Sequence, residues 1–356
     1  MRHIINLRDN TRKIIPPIRF VLKYAQFKNF LTKCYQLIST TIKNFQNLLF
    51  PLLLILSVSS HAEPWFTGPI LAPAGKTTPR GHVNLENYVF YSENIGEFNR
   101  HWRLIHTLSG QSYQENPVLS YGLADRVDFQ FSLPYAVNRN KGKTAHHIGD
   151  TAATLGIQVF QQNQSLWKPN LRLTLQQVFP TGRYEDLNPT NEGTDGTGLG
   201  SYETSLGLNF EHLSLIARDY YLRTRLSLNY LFASTTSIRG LNNYGGNQVT
   251  NGRVNPGDMM SVDLAGEFAL TQHWVGVMEA YFVYRNGATF RGAPGIKEDG
   301  LPLQIGSGDV VELSFAPAIE YNFSEKYGVI AGVWFSEIGK DAPDFRSIVV
   351  ALNIYW

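Results

Sequence analysis

Phe345-Arg346-Ser347-Ile348-Val349-Val350-Ala351-Leu352-Asn353-Ile354-Tyr355-Trp356 is the stretch on which the reading of this chain turns. Side chains of a strand alternate between its two faces. Ile348, Val350, Leu352, Ile354 and Trp356 therefore share one face. Ser347, Val349, Ala351, Asn353 and Tyr355 share the other, which is smaller and more polar. Two structures use such a segment: an edge strand of a soluble sheet, or the wall of a barrel whose apolar face meets lipid. The remainder of the chain has to choose between them.

Composition leans toward the second. The chain is 43% hydrophobic, 13% aromatic and 17% charged, whereas soluble domains carry charge at about a quarter of their positions. No run reaches the eighteen or so apolar residues of a membrane-spanning helix. A barrel in a membrane needs no such run, because its apolar residues alternate with polar ones.

The net charge of +2 hides two unlike segments. Residues 1–62 hold nine of the 31 Lys/Arg, one of the 29 Asp/Glu (Asp9) and the single cysteine, Cys34. Residues 63–356 keep 22 basic and 28 acidic residues, a net of −6 without cysteine. That balance argues against nucleic-acid binding, and no disulfide or thiolate-metal scheme is open to it. Within the first segment, Leu48 to Leu56 is an apolar core preceded by basic residues and followed by Ser57-Val58-Ser59-Ser60-His61-Ala62. This predicts a secretory signal cleaved between Ala62 and Glu63. Its basic lead of more than forty residues fits either an extended signal or a translation start placed too early. Residues 63–80 carry four prolines and no alternation, which predicts an extended arm, lying across a barrel mouth or inside its lumen.

From 81 onward, alternating runs of about ten residues recur, the length a tilted strand needs to cross a bilayer. Val127, Phe129, Phe131 and Leu133 alternate with Asp128, Gln130 and Ser132; Leu222, Leu226, Leu228 and Tyr230 oppose Arg223, Arg225, Ser227 and Asn229. Connections alternate too. Short ones fall at 123–126, 271–273 and 324–326, and long ones at 138–148, 180–200, 233–257 and 286–306. Short turns on one rim and long loops on the other, with aromatics such as Tyr135, Trp274, Tyr327 and Phe335 at strand ends, predict an all-β transmembrane antiparallel barrel over 81–356. Both chain ends on the short-turn rim require an even strand number. Counting Gly81–Ser92 and Glu115–Gly122 as strands, and Arg100–Ser109 as loop or a bent extension of its neighbour, gives twelve; fourteen is the alternative. The last external turn is expected at Asp341–Asp344.

Several segments carry a family pattern. Tyr121-Gly122-Leu123-Ala124-Asp125-Arg126-Val127-Asp128 leads to Leu133-Pro134-Tyr135, followed by Ile148-Gly149-Asp150-Thr151, Phe179-Pro180-Thr181-Gly182 and Gly196-Thr197-Gly198-Leu199-Gly200-Ser201-Tyr202. In this order they resemble the outer-membrane family named for the MetA pathway of phenol degradation. The resemblance implies a transporter-like barrel in the bacterial outer membrane, a channel or uptake porin for small solutes, hydrophobic or aromatic ones included. A structural or plugged barrel is the alternative, and a lipid or peptide hydrolase a more distant one. The terminal strand resembles the closing strand of such barrels, in which the assembly machinery recognises it, so Ile348, Val350, Leu352, Ile354 and Trp356 are the expected assembly signal. Outer-membrane lipid and that machinery are the expected partners.

With the large apolar face toward lipid, the lumen receives Glu86, Asp128, Asp150, Glu203, Glu211, Asp263, Glu267, Glu279, Glu312 and Glu320, against Arg172, Arg223, Arg225 and Arg285. An Arg at the lipid midplane costs roughly 2–4 kcal/mol, so these charges must turn inward. They form either a cation-leaning pore lining or an ion-pair network that stiffens a narrow barrel. Catalysis is not expected. His146-His147 with Asp150 could supply a base and an acid, but a His pair in a Lys/Asn/Thr loop reads as solvated surface, and adjacent histidines splay apart as metal ligands. The glycine-rich run 193–200 lacks the regularly spaced oxygens of a calcium loop. No metal or cofactor is predicted.

Overall fold

The computed structural model describes residues 64–163, 168–217 and 220–356. The signal segment and the Ala62–Glu63 junction lie outside them. Eighteen strand segments follow in order: β1 (Val83–Phe98), β2 (Leu104–Ala124), β3 (Val127–Ser132), β4 (Tyr135–Asn140), β5 (Lys143–Ile148), β6 (Thr151–Phe160), β7 (Asn170–Phe179), β8 (Glu203–Ala217), β9 (Tyr220–Ala233), β10 (Thr236–Arg239), β11 (Asn251–Asn255), β12 (Met259–Ala269), β13 (Trp274–Arg285), β14 (Thr289–Ala293), β15 (Val310–Phe315), β16 (Ala318–Asn322), β17 (Tyr327–Lys340) and β18 (Ala342–Tyr355). Three pairs are single wall strands interrupted once. β3 runs into β4 across Leu133-Pro134, β5 into β6 across Gly149-Asp150, and β15 into β16 across Ala316-Pro317. Proline has no N–H to give the ladder, so two of these breaks fall where the sequence places one. Setting aside β10, β11 and β14, which pair only with each other, twelve antiparallel wall strands remain. β1 pairs with both β2 and β18, closing the sheet into the predicted twelve-stranded barrel.

The terminal strand lies as its alternation predicts. Ile348, Val350, Leu352 and Trp356 are 58%, 43%, 44% and 51% exposed on the outer surface, while Ser347, Val349 and Ala351 between them are buried. Trp356 completes the seam through its backbone, exchanging hydrogen bonds of 2.8 and 3.0 Å with Val83. With both edges of the sheet paired, no row of N–H groups is left facing lipid along the seam.

Other expectations need correction. β2 is longer than the Glu115–Gly122 run: of the two readings of Arg100–Ser109 the extension holds for 104–109, which continue β2 past a bulge opposite Asn94 and Gly96, and 99–103 form the loop. The 138–148 segment is the tip of the β4–β5 hairpin, not an irregular loop. Loops 233–257 and 286–306 contribute β10, β11 and β14 to a small sheet outside the barrel. The last turn is tighter than 341–344; it is made at Asp341 alone, in the left-handed region at φ 47°.

The interior is divided into sectors. Val275, Val277, Ala316, Ile330, Val349 and Ala351 form a buried apolar patch on the inner face of β13 to β18, with Tyr88, Phe90 and Trp334 packed beside it. Buried charged and amide side chains are densest on β3 to β12, and Glu279, Glu312, Glu320 and Asn322 continue them among the apolar residues of β13 to β16. The alternation predicts the inward phase of Val275, Val349 and Ala351; a tally of lumen charges overlooks the apolar surface they make.

Candidate functional site

Residues 64–80 pass through the lumen. Pro64, Pro69, Pro73 and Pro79 keep the arm extended and out of any ladder, so its remaining N–H groups need partners from the wall. The wall supplies them. Glu279 accepts from Ile70, Leu71 and Ala72 at 2.5, 2.9 and 2.9 Å. Glu320 accepts from Thr67 at 2.8 Å, Glu211 from Gly75 at 3.2 Å, Gln158 from Thr77 at 2.8 Å and Asp128 from Thr78 at 2.9 Å. Carbonyls are met in turn: Asn322 donates to Trp65 at 3.0 Å, Arg225 to Ala72 at 3.1 Å and Gln158 to Gly75 at 2.9 Å. The arm enters beside Gln272 in the β12–β13 turn, climbs to mid-strand at Glu279 and returns to the same rim, where Gly81 bonds to Gly122. It forms a floor across the short-turn half of the lumen.

The fit is close. Ile70 is buried in the apolar patch, with Phe66 and Leu71 beside it, and Arg223 lies 4.3 Å over the Phe66 ring. A Cβ at Gly122 would overlap the Pro79 carbonyl, and one at Gly75 would overlap the Glu211 side chain. Only glycine permits the arm to lie this near the wall.

Each of the four predicted lumen arginines is paired. Arg172 meets Asp128 at 2.7 Å, both 1% exposed. Arg223 pairs with Glu267, Arg225 bridges Glu267 at 3.1 Å and Glu211 at 3.5 Å, and Arg285 reaches Glu203 at 3.1 Å. The remaining predicted acids divide among other tasks. Glu279 and Glu320 hold the arm, Glu86 accepts from Tyr88 Oη at 3.4 Å, and Glu312 and Asp263 are buried, the latter with one oxygen unbonded. Asp150 belongs to neither lumen scheme. It lies in the break between β5 and β6, level with the long-loop end of β7, and accepts from Gly182 at 2.9 Å and Leu199 at 2.8 Å. Burial raises its pKa above the usual carboxylate value, and those two N–H groups offset only part of the rise.

Asp150 thereby pins the 180–200 loop over the mouth. Asn243 and Tyr244 hold Gly198 and Leu199 at 2.7 and 2.5 Å, and Asn138 holds Thr194 at 3.1 Å. Two cavities lie along the lumen beside this cap and the floor. One of about 370 Å³ opens at the mouth beside Ser92, Asn94, Trp334 and Phe345. Another of about 630 Å³ runs along the arm itself, against Glu86, Tyr88, Phe90 and Asn116, and reaches Asn84, Glu325 and Tyr355 at the short-turn rim. The residues that charge-based reasoning missed are neutral: Gln158, Asn322 and Asn353 on the arm, and Tyr88, Phe90 and Trp334 on the cavities. Their signal was phase, since Tyr88 and Phe90 alternate in step with Glu86.

His146 and His147 are exposed on β5; His146 faces the Tyr135 ring at 6.2 Å and His147 Nδ1 lies 3.1 Å from the Ile148 carbonyl. Among the described residues, no group of three His, Cys, Asp or Glu side chains is placed to hold a metal ion.

The COG4313 outer membrane channel from Pseudomonas putida F1 matches this structure over 81% of this chain and 100% of its own, with a TM-score of 0.61 and 13% identity. The chain has the outer-membrane β-barrel fold. The NanC porin (TM-score 0.38, 8% identity, 76% of this chain and 98% of that one) and the CymD monoaromatic hydrocarbon channel (0.32, 10%, 78% and 88%) fit too loosely for any detail to be carried over. No family model and no curated protein matches the chain.

Proposed function

We propose that this protein is a channel of the bacterial outer membrane that admits small solutes, with the arm 64–80 closing its periplasmic end. One observation carries the reading. The two cavities succeed one another along the inner face of β1, Ser92 and Asn94 lining the outer one and Glu86, Tyr88 and Phe90 the inner one. Small-solute passages are commonly lined this way, apolar and aromatic walls with a few polar groups for orientation. The motifs resembling the phenol-degradation family make hydrophobic or aromatic solutes the class that this resemblance implies.

Conductance in planar bilayers, of the intact protein and of a variant lacking 66–78, tests the proposal. The expected result is a small conductance that rises sharply when the arm is removed. Silence from both folded proteins would favour a structural barrel. In the proposed setting, the leader is a signal removed at Ala62–Glu63, checked by sequencing the mature N-terminus. Outer-membrane fractionation checks location. A hydrolase would reveal itself as activity on phospholipid or peptide lost in His146→Ala or His147→Ala.

A further inference from the structure

The lining of the cavity at the mouth combines two kinds of chemistry. In the first, the Trp334 and Phe345 rings meet edge-on with centroids 4.8 Å apart, and Trp334 Nε1 donates to Ser314 at 3.0 Å, which fixes the indole. Both rings line the cavity. Beside the rings, on the paired strands β1 and β18 and at the rim, the lining is neutral and hydrogen-bonding. Asn140 donates through Nδ2 to the Glu192 carbonyl at 3.1 Å, leaving its Oδ1 without a partner among the described residues. Asn94 accepts a long bond from Gly96 through Oδ1, and its Nδ2 likewise has no described partner. The Ser92 and Ser347 hydroxyls lie 2.6 Å apart, so one proton is shared within the pair and the other is available to a ligand. Charge is confined to the outer rim, where Glu192 is engaged by Lys141 at 2.9 Å and Arg139 is exposed.

The geometry points to a binding site for a neutral saccharide at this mouth. A pyranose has a flat face of C–H groups that stacks on an aromatic ring, and hydroxyls around its edge that both donate and accept. The cavity offers a fixed aromatic platform, an amide donor, an amide acceptor and hydroxyls around it. A charged solute would find no inner counter-charge. A wholly apolar solute would strip water from the amides without replacing it. A phenol would satisfy the platform but, with a single hydroxyl, at most two of the polar groups. About 370 Å³ is at the small end of ligand cavities and accommodates roughly one to two sugar rings.

The inference rests on the channel reading only in treating the ligand as an entering solute; binding is measured in detergent without transport, so the two can fail separately. Saturation-transfer NMR on the full chain folded in detergent, with glucose, maltose and phenol as probes, is the test. Glucose or maltose should show transfer strongest at the ring C–H protons. Affinity should fall at least tenfold in Trp334→Leu, and should survive in Trp334→Phe, which keeps a ring. Asn140→Leu, at the tip of the β4–β5 hairpin, provides a second variant if Trp334→Leu does not fold; it should weaken binding severalfold. Absence of transfer to either sugar, tighter binding of phenol than of sugar, or sugar binding unchanged in the folded variants would overturn the assignment.

Discussion

Glu279→Gln isolates the seating of the arm from the integrity of the barrel. In the native protein both carboxylate oxygens are used, one by Ile70 and the other by Leu71 and Ala72. Gln keeps a single acceptor oxygen and turns an NH₂ group toward an N–H donor, so up to two of the three bonds are lost. A hydrogen bond to a charged group contributes about 1.5–3 kcal/mol. Losing two weakens the seat by about 3–6 kcal/mol, a hundredfold to ten-thousandfold shift toward the unseated arm at about 1.4 kcal/mol per tenfold. The β-ladder is untouched, because Glu279 pairs with its neighbours through the backbone alone. Since the chain after residue 62 has no cysteine, Ala72→Cys, buried beneath the arm's turn, introduces one reporter thiol. Maleimide labelling of that thiol should accelerate by the same factor as the unseated population grows, and bilayer conductance should show longer open periods. If the Glu279→Gln barrel folds, shifts on heating as usual and labels no faster than the parent, the carboxylate does not hold the arm and the reasoning fails.

Three further outcomes are expected. Arg172→Met strands Asp128 without its partner in a site 1% exposed and should cost about 3–5 kcal/mol, seen as a lower temperature for the heat-induced gel shift; adding Asp128→Leu should restore much of it, although Thr78 then loses its acceptor. Gly122→Val should displace the returning end of the arm, because its side chain overlaps the Pro79 carbonyl; protease cleavage near residue 79 should rise while the gel shift stays intact. Removal of Trp356 deletes both backbone bonds to Val83 at the seam and should lower the yield of folded barrel far more than His146→Ala or His147→Ala, as measured by heat-modifiable mobility in outer-membrane fractions.

Much of this protein was legible in order along the chain. Alternation with period two, short and long connections in turn, and even parity determined an antiparallel barrel with an even number of strands, twelve or fourteen, and for most strand residues which side chains face inward. Ile348 through Trp356 show why: in a strand the face of each residue follows from its neighbour's, without knowledge of any distant contact. The proline spacing of 63–80 likewise determined that the segment would be extended. Only the tertiary structure decided where that arm lies and what the lumen acids do. Glu279 lies 207 to 209 positions from the N–H groups it binds, and the sequence carries no local signal for such a pairing. Charge tallying left a pore lining and an ion-pair network both open; the folded chain pairs Arg172, Arg223, Arg225 and Arg285 with acids, yet Glu279 and Glu320 answer backbone N–H groups, which every residue type other than proline presents alike. Strand phase is a local property of the chain; the filling of the barrel depends on which remote surfaces meet once it closes.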